Sequence, residues 1–149
     1  MKTLFIDLDN VLVDFQSGIN QLTEETKAQF KDRLDEVPGI FSLMKPMPGA
    51  VETFKLLSEK FDTYILSTAP WNNPSAWSDK LLWVKKYLGE KAKKRLILSH
   101  HKNLLNGDFL VDDSPKNGAK EFQGEWIRFG AEGFKTWEEV LNYLNIKVQ

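Results

Sequence analysis

Asp7 and Asp9 stand two residues apart in FIDLDNVLVDF, directly behind a short apolar run, and Asp112 and Asp113 close a second such run in DFLVDDSPKNG. On an extended chain a period of two projects Asp7 and Asp9 to one side. If the two runs are neighbouring strands, four carboxylates converge, and their mutual repulsion implies either raised proton affinities or a bound cation. With no cysteine and only two histidines in the chain, the available ligands are hard oxygens. That favours magnesium, which keeps several waters and takes the rest of its shell from carboxylates and substrate phosphate. Phosphate chemistry also needs donors and cations. Ser67 and Thr68 in YILSTAP offer hydroxyls and adjacent amides for phosphoryl oxygens, while Lys80 and Lys102 offer ammonium groups to neutralise a transferring phosphoryl group. Singly each is ordinary, because a Ser-Thr pair commonly forms a turn and a lysine is commonly solvated. Their combination carries the weight.

Strands and helices must bring these residues together. KTLFI (2–6) reads as a strand buried on both faces, as in a parallel sheet, and further strands are expected at Thr63–Leu66, Arg95–Leu98, Asp108–Val111 and Trp126–Phe129. Between them, PGAVETFKLLSEKF repeats apolar residues at Val51, Phe54 and Leu57 behind Pro48, and the stretch from Asp79 to Leu88 shows Leu82, Val84, Tyr87 and Leu88. Thr136 followed by Glu139 predicts a capping box opening the last helix, TWEEVLNYLN. Alternating strands and helices predict an open α/β parallel sheet with right-handed crossovers, helices on both faces and ligands at the carboxyl ends of the strands. Residues 14–46 break the alternation and are read as a small helical cap inserted after strand 1, over a core of residues 1–13 and 47–149 that forms one domain.

Taken in order and spacing, FIDLDNVLVDF, YILST, a downstream lysine and FLVDD resemble the four motifs of the haloacid dehalogenase-like (HAD) superfamily, whose fold is a Rossmann-like sheet with a cap after strand 1. Within it, DxDxVLxDF, Thr-x-Pro, DKLLWVKKYLG and ILSHHKNLLNGDFLVDD resemble the 5'(3')-deoxyribonucleotidases. The resemblance implies a magnesium-dependent phosphomonoesterase. Asp7 would be nucleophile and metal ligand, Asp9 the general acid/base whose carbonyl touches the metal, and Asp112 and Asp113 the pair completing the metal site. Thr68 would bind phosphate, Lys80 would be the third-motif lysine, and Phe15 and Lys102 would line the substrate pocket. Three positions depart from the family pattern: Asn10 stands where glycine is usual, Trp71 and Asn72 follow the proline of STAP in place of a phosphate-contacting lysine, and SHHK replaces an arginine-containing version. Phe15, Phe41, Trp71 and Trp77 could stack a base, although hydrophobic packing is the preferred reading, and His100 and His101 read as a surface loop.

Composition bounds the rest. At 149 residues, with 42% hydrophobic and 28% charged residues, the chain suits one soluble domain. A net charge of -1 gives no footprint for a nucleic acid polymer or an anionic membrane, and the basic stretch Lys85 to Arg95 reads as an exposed helix end. Absence of cysteine suits a reducing, cytoplasmic setting. No signal peptide or membrane span is expected, and the partner is a small phosphorylated metabolite, with the chain a monomer or homodimer. A phosphatase for a sugar phosphate, or a non-catalytic domain binding a phosphorylated ligand, remains the competing reading.

Overall fold

The computed structural model describes residues 1–148. The chain opens with β1 (Thr3–Ile6) and the short strand β2 (Val13–Asp14). Helices α1 (Phe15–Ile19) and α2 (Glu24–Gln29) follow, then two 3-10 turns at Leu34–Glu36 and Ile40–Leu43, and β3 (Lys45–Pro46). Next come α3 (Ala50–Lys60), β4 (Asp62–Ser67), α4 (Pro74–Tyr87), β5 (Leu96–Leu98), β6 (Phe109–Asp112), β7 (Glu125–Arg128) and α5 (Trp137–Ile146). Every expected strand forms, each within a residue of its predicted bounds.

The five long-range strands are all parallel, in the order β5-β4-β1-β6-β7. From β1 the chain moves outward to β4 and β5, then returns to the other side as β6 and β7. The direction of travel reverses beside β1, and ligands of such sheets bind where it does. Right-handed crossovers put outward and returning connections on opposite faces. Side chains alternate accordingly: Leu4, Ile6, Ile65, Phe109, Val111 and Ile127 join the large core with Phe54, Leu57, Trp83, Trp137 and Val140, whereas Phe5, Leu66 and Leu110 face a smaller cluster with Ala119 and Phe122. Both faces are covered, but differently. In the connections 99–108 and 113–124 a 3-10 turn (Lys102–Leu104) and a series of turns, rather than α-helices, cover the second face.

The final helix is capped as its sequence predicts, the Glu139 amide donating to Thr136 Oγ1 at 3.2 Å. Glu139 reaches back to the amide of Lys135, one residue before the cap. Helix α4 starts at Pro74, five residues before the apolar periodicity begins, with Asn73 ahead of it and proline in the first turn, where its missing N–H is not needed. Helix α3 starts after Gly49 rather than at Pro48. The insertion is tied at its base by antiparallel pairing of Val13 with Pro46 and Asp14 with Lys45. Val37, Ile40, Phe41 and Met44 join the large core, and Trp83 Nε1 donates to the Met44 carbonyl at 3.1 Å, so the insertion shares the core instead of making its own.

Candidate active site

Three strand ends build the site. The Asp7 amide donates to the Val111 carbonyl at 2.9 Å, and the β1–β6 register (Ile6 beside Val111) carried one residue further puts Asp7 next to Asp112. After Asp7 the chain turns sharply: the amides of Val11, Leu12 and Val13 all converge on the Leu8 carbonyl at 2.8–3.0 Å. This turn requires Asn10 at φ +63°, a left-handed conformation that asparagine tolerates better than most residues.

Asp7, Asp112 and Asp113 each offer a carboxylate oxygen, all within 4.8 Å of one another, and Asp7 and Asp112 are buried. One cation faces them: Lys102 Nζ lies 2.5 Å from Asp112 Oδ2 and 3.1 Å from Asp7 Oδ1. Burial drives the Asp7 proton affinity up to about 7, against the pull of Lys102 and with the help of Asp112 and Asp9. Burial likewise raises Asp113 to about 6, reinforced by Asp7, and raises Asp112. Lys102 itself is raised, burial working against its charge but Asp7 and Asp112 prevailing. One ammonium against three crowded carboxylates leaves negative charge uncompensated, and hard oxygens at this spacing fit a small divalent cation.

Lys102 is held from behind. Its amide donates to the Asn117 carbonyl at 2.7 Å, in a turn where Asn117 and Gly118 have φ of +55° and +82°. A Cβ on Gly118 would come within 2.9 Å of the Lys102 nitrogen and collide with Asn103, so the close approach needs glycine there.

Lys80 serves the other aspartate. Its Nζ donates to Asp9 Oδ2 at 3.0 Å, to Ser67 Oγ at 2.7 Å and to the Thr68 carbonyl at 3.0 Å, with the Phe41 ring 4.6 Å away. Asp9 Oδ1 is buried without a hydrogen-bond partner among the described residues.

Of the residues singled out in the sequence, Asp7, Asp9, Thr68, Lys102, Asp112 and Asp113 line one cavity of about 340 Å³; Ser67, Lys80 and Phe15 do not. Ser67, expected to hold phosphate, is fully buried and accepts from Lys80. Lys80, expected at the third-motif position, is turned to Asp9, and it is Lys102, expected to line the substrate pocket, that reaches the carboxylate pair. Phe15 packs edge to face on Phe41 at 5.9 Å. The Asp9 carboxylate stands apart from the three-carboxylate group. Thr68 Oγ1 donates to the Ser99 carbonyl at 2.7 Å. The cavity also receives Asp35, His100, Lys116 and Asn117. His100, read as a loop residue, lies near Trp71 and Trp77, with ring centroids 6.0 and 6.1 Å away. Nothing in the spacing of Asp35, Lys116 or Asn117 marks them, since each is an exposed residue in a turn.

Residues 24–141 match the family described as 5' nucleotidase, deoxy (pyrimidine), cytosolic type C protein (NT5C). A Vibrio phage KVP40 protein named as a candidate 5'(3')-deoxyribonucleotidase is 59% identical over 141 residues, covering 95% of this chain and 83% of its own. A Staphylococcus epidermidis protein of the same name is 32% identical over 147 residues, covering 91% and 80%. Among solved structures, the candidate HAD hydrolase YfnB of Bacillus subtilis, crystallised with magnesium, superposes with TM-score 0.66 at 14% identity over 97% of this chain and 98% of its own. A haloacid dehalogenase-like hydrolase of Streptococcus pneumoniae gives 0.57 at 13% identity, covering 96% and 90%.

Proposed function

Because the chain belongs to the 5' nucleotidase, deoxy (pyrimidine), cytosolic type C family, we propose that it is a magnesium-dependent phosphomonoesterase hydrolysing deoxyribonucleoside monophosphates through an aspartyl-phosphate on Asp7. As a member of a nucleotidase family on the haloacid dehalogenase-like fold, it is a phosphoric monoester hydrolase. One observation carries the mechanistic reading: Asp7, Asp112 and Asp113 crowd together beside Lys102 at the point where the sheet reverses direction.

A phosphate monoester is a dianion that a carboxylate repels, so the site must neutralise it before an in-line approach. A magnesium ion held by Asp7, Asp112 and Asp113 would supply Lewis-acid neutralisation of the phosphoryl oxygens. Lys102 adds an ammonium at Asp7 Oδ1, where it also keeps the carboxylate pointed into the cavity. The Asp7 carboxylate attacks phosphorus, its new O–P bond forming as the bond to the sugar oxygen breaks, and the departing alkoxide takes a proton from Asp9. Lys80 fixes Asp9 through Oδ2, leaving the unpartnered Oδ1 to carry that proton. In the second half Asp9 removes a proton from water as its oxygen attacks phosphorus, releasing phosphate and restoring Asp7. Thr68 would receive phosphoryl oxygens once its hydroxyl exchanges the Ser99 carbonyl for substrate.

No helix among the described residues is long and apolar enough to cross a membrane, and the cysteine-free composition suits action in the cytoplasm. Phosphate release measured on 5'- and 3'-deoxyribonucleotides, ribonucleotides and sugar phosphates, with and without magnesium, tests the proposal. Selective, magnesium-dependent release from deoxyribonucleotides that Asp7→Asn lowers by several orders of magnitude is expected. Release confined to sugar phosphates would overturn the substrate assignment, and undiminished Asp7→Asn turnover would overturn the nucleophile.

A further inference from the structure

Among the residues lining the catalytic cavity, Asp35 alone comes from the insertion. Its carboxylate makes no hydrogen bond or ion pair with another described residue, so it contributes nothing visible to the fold. Its backbone, in contrast, is firmly held. Asn73 is buried, and its Nδ2 donates to the Asp35 carbonyl at 2.9 Å and to the Val37 carbonyl at 3.0 Å. Asn73 Oδ1 accepts from Ser75 Oγ at 2.8 Å, and Ser75 Oγ in turn accepts from the Gly39 amide at 2.9 Å. Every polar side-chain atom of Asn73 is thus spent pinning residues 35–39 against the start of α4. The exposed carboxylate of Asp35 is thus carried at the cavity by a backbone that is held in place.

The side of the cavity follows from its neighbours. Asp35 is clasped to Asn73 at the start of α4, and it is α4 that carries Lys80, whose ammonium holds Asp9 Oδ2 at 3.0 Å. Asp35 therefore stands with Asp9. On the reading that Asp7 is nucleophile and Asp9 proton donor, on which this inference rests, that is where the leaving group sits.

We propose that Asp35 is a specificity-determining residue, a fixed negative charge on the leaving-group side that admits a neutral sugar and turns away substrates carrying a second phosphate there. A deoxyribose brings no charge to this wall. A second phosphoryl group brings at least one, into a cavity lined by both Asp9 and Asp35, where like charges repel. Lys102 stands instead with Asp7 and Asp112, two of the three carboxylates that would hold magnesium, and would attract the first phosphate whether or not a second follows.

The test compares orthophosphate and pyrophosphate as competing ligands at fixed free magnesium, in the wild type, Asp35→Asn and Glu36→Gln. Asp35→Asn keeps the shape and loses the charge; Glu36 pairs with Arg33 and is not among the cavity-lining residues, so Glu36→Gln controls for general charge. Pyrophosphate is expected to bind about tenfold tighter to Asp35→Asn, with orthophosphate changed less than about twofold and Glu36→Gln unaltered. An unchanged ratio, or an equal shift in Glu36→Gln, overturns the assignment. So does a loss of monophosphate turnover without tighter pyrophosphate binding, which would make Asp35 a ligand of the leaving group. Failure of the proposed reaction shows separately, as absence of wild-type phosphate release.

Discussion

Lys80 and Lys102 are both almost fully buried, 1% and 3% exposed, and both face an aspartate that follows the first strand, yet their surroundings differ in kind. An ammonium has three protons to give. Lys80 gives all three within the protein, to Asp9, Ser67 and the Thr68 carbonyl. Lys102 donates to Asp112, pairs with Asp7 Oδ1 at 3.1 Å, and opens on the cavity. Lys80 has no proton left beyond its three partners, whereas Lys102 has one free toward the cavity in which the proposed reaction takes place. Buried cations of the same type thus divide the labour through the number of partners each is given.

The Asp9 side should show the larger loss. Asp9→Asn removes the proton donor and is expected to lower kcat by on the order of 10²–10⁴-fold for alkyl phosphates, and by much less for aryl phosphates, whose leaving groups need no proton. Equal losses for both classes, read in steady-state kinetics, would break the assignment. Lys102→Ala removes charge stabilisation at the nucleophile and is expected to cost on the order of 10²–10³-fold with every leaving group. Lys80→Met should cost on the order of 10–100-fold and copy the leaving-group dependence of Asp9→Asn, because it acts through Asp9. If Lys80→Met instead followed the Lys102→Ala pattern, the two lysines would not be distinct.

The smallest effect is on stability. In the metal-free protein Asp7 and Asp113 hold protons up to about 7 and about 6, above the ordinary 3.8. Between 3.8 and those values the folded state binds more protons than the unfolded, so stability is highest on the acid side and falls as pH rises through about 6 and then about 7. Thermal melts without metal should show this decline, Asp7→Asn should flatten it, and magnesium should offset it by binding the folded state. A metal-free protein that gained stability over the same rise would contradict the charge crowding at Asp7.

The carboxylates were legible in the sequence because each pair ends an apolar run, and an alternating α/β pattern leaves the carboxyl ends of β1 and β6 side by side. The lysines were legible only as a pair of candidates. A lysine side chain spans several ångströms, and whether Lys80 meets Asp7 or Asp9 depends on how α4 packs, through Trp83 and Ala76, against the insertion and the large core. The setting of Ser67 was hidden for a related reason: it sits at the end of a strand, where such a residue can face phosphate, but here its hydroxyl is buried and accepts from Lys80. The start of α4 carried a signal in Asn73-Pro74, a cap-like residue before a first-turn proline, that apolar periodicity passed over. Asp35 carried none, since only the Asn73 clasp brings it to the cavity.

The central claim is that Asp7 becomes phosphorylated. Turnover of a deoxyribonucleoside monophosphate, quenched in acid within a few milliseconds and digested for mass spectrometry, tests it directly. A phosphoryl adduct on Asp7, absent without magnesium and absent in Asp7→Asn, is the predicted result. Rapid phosphate release with no adduct, or an adduct on Asp112 or Asp113, would contradict it.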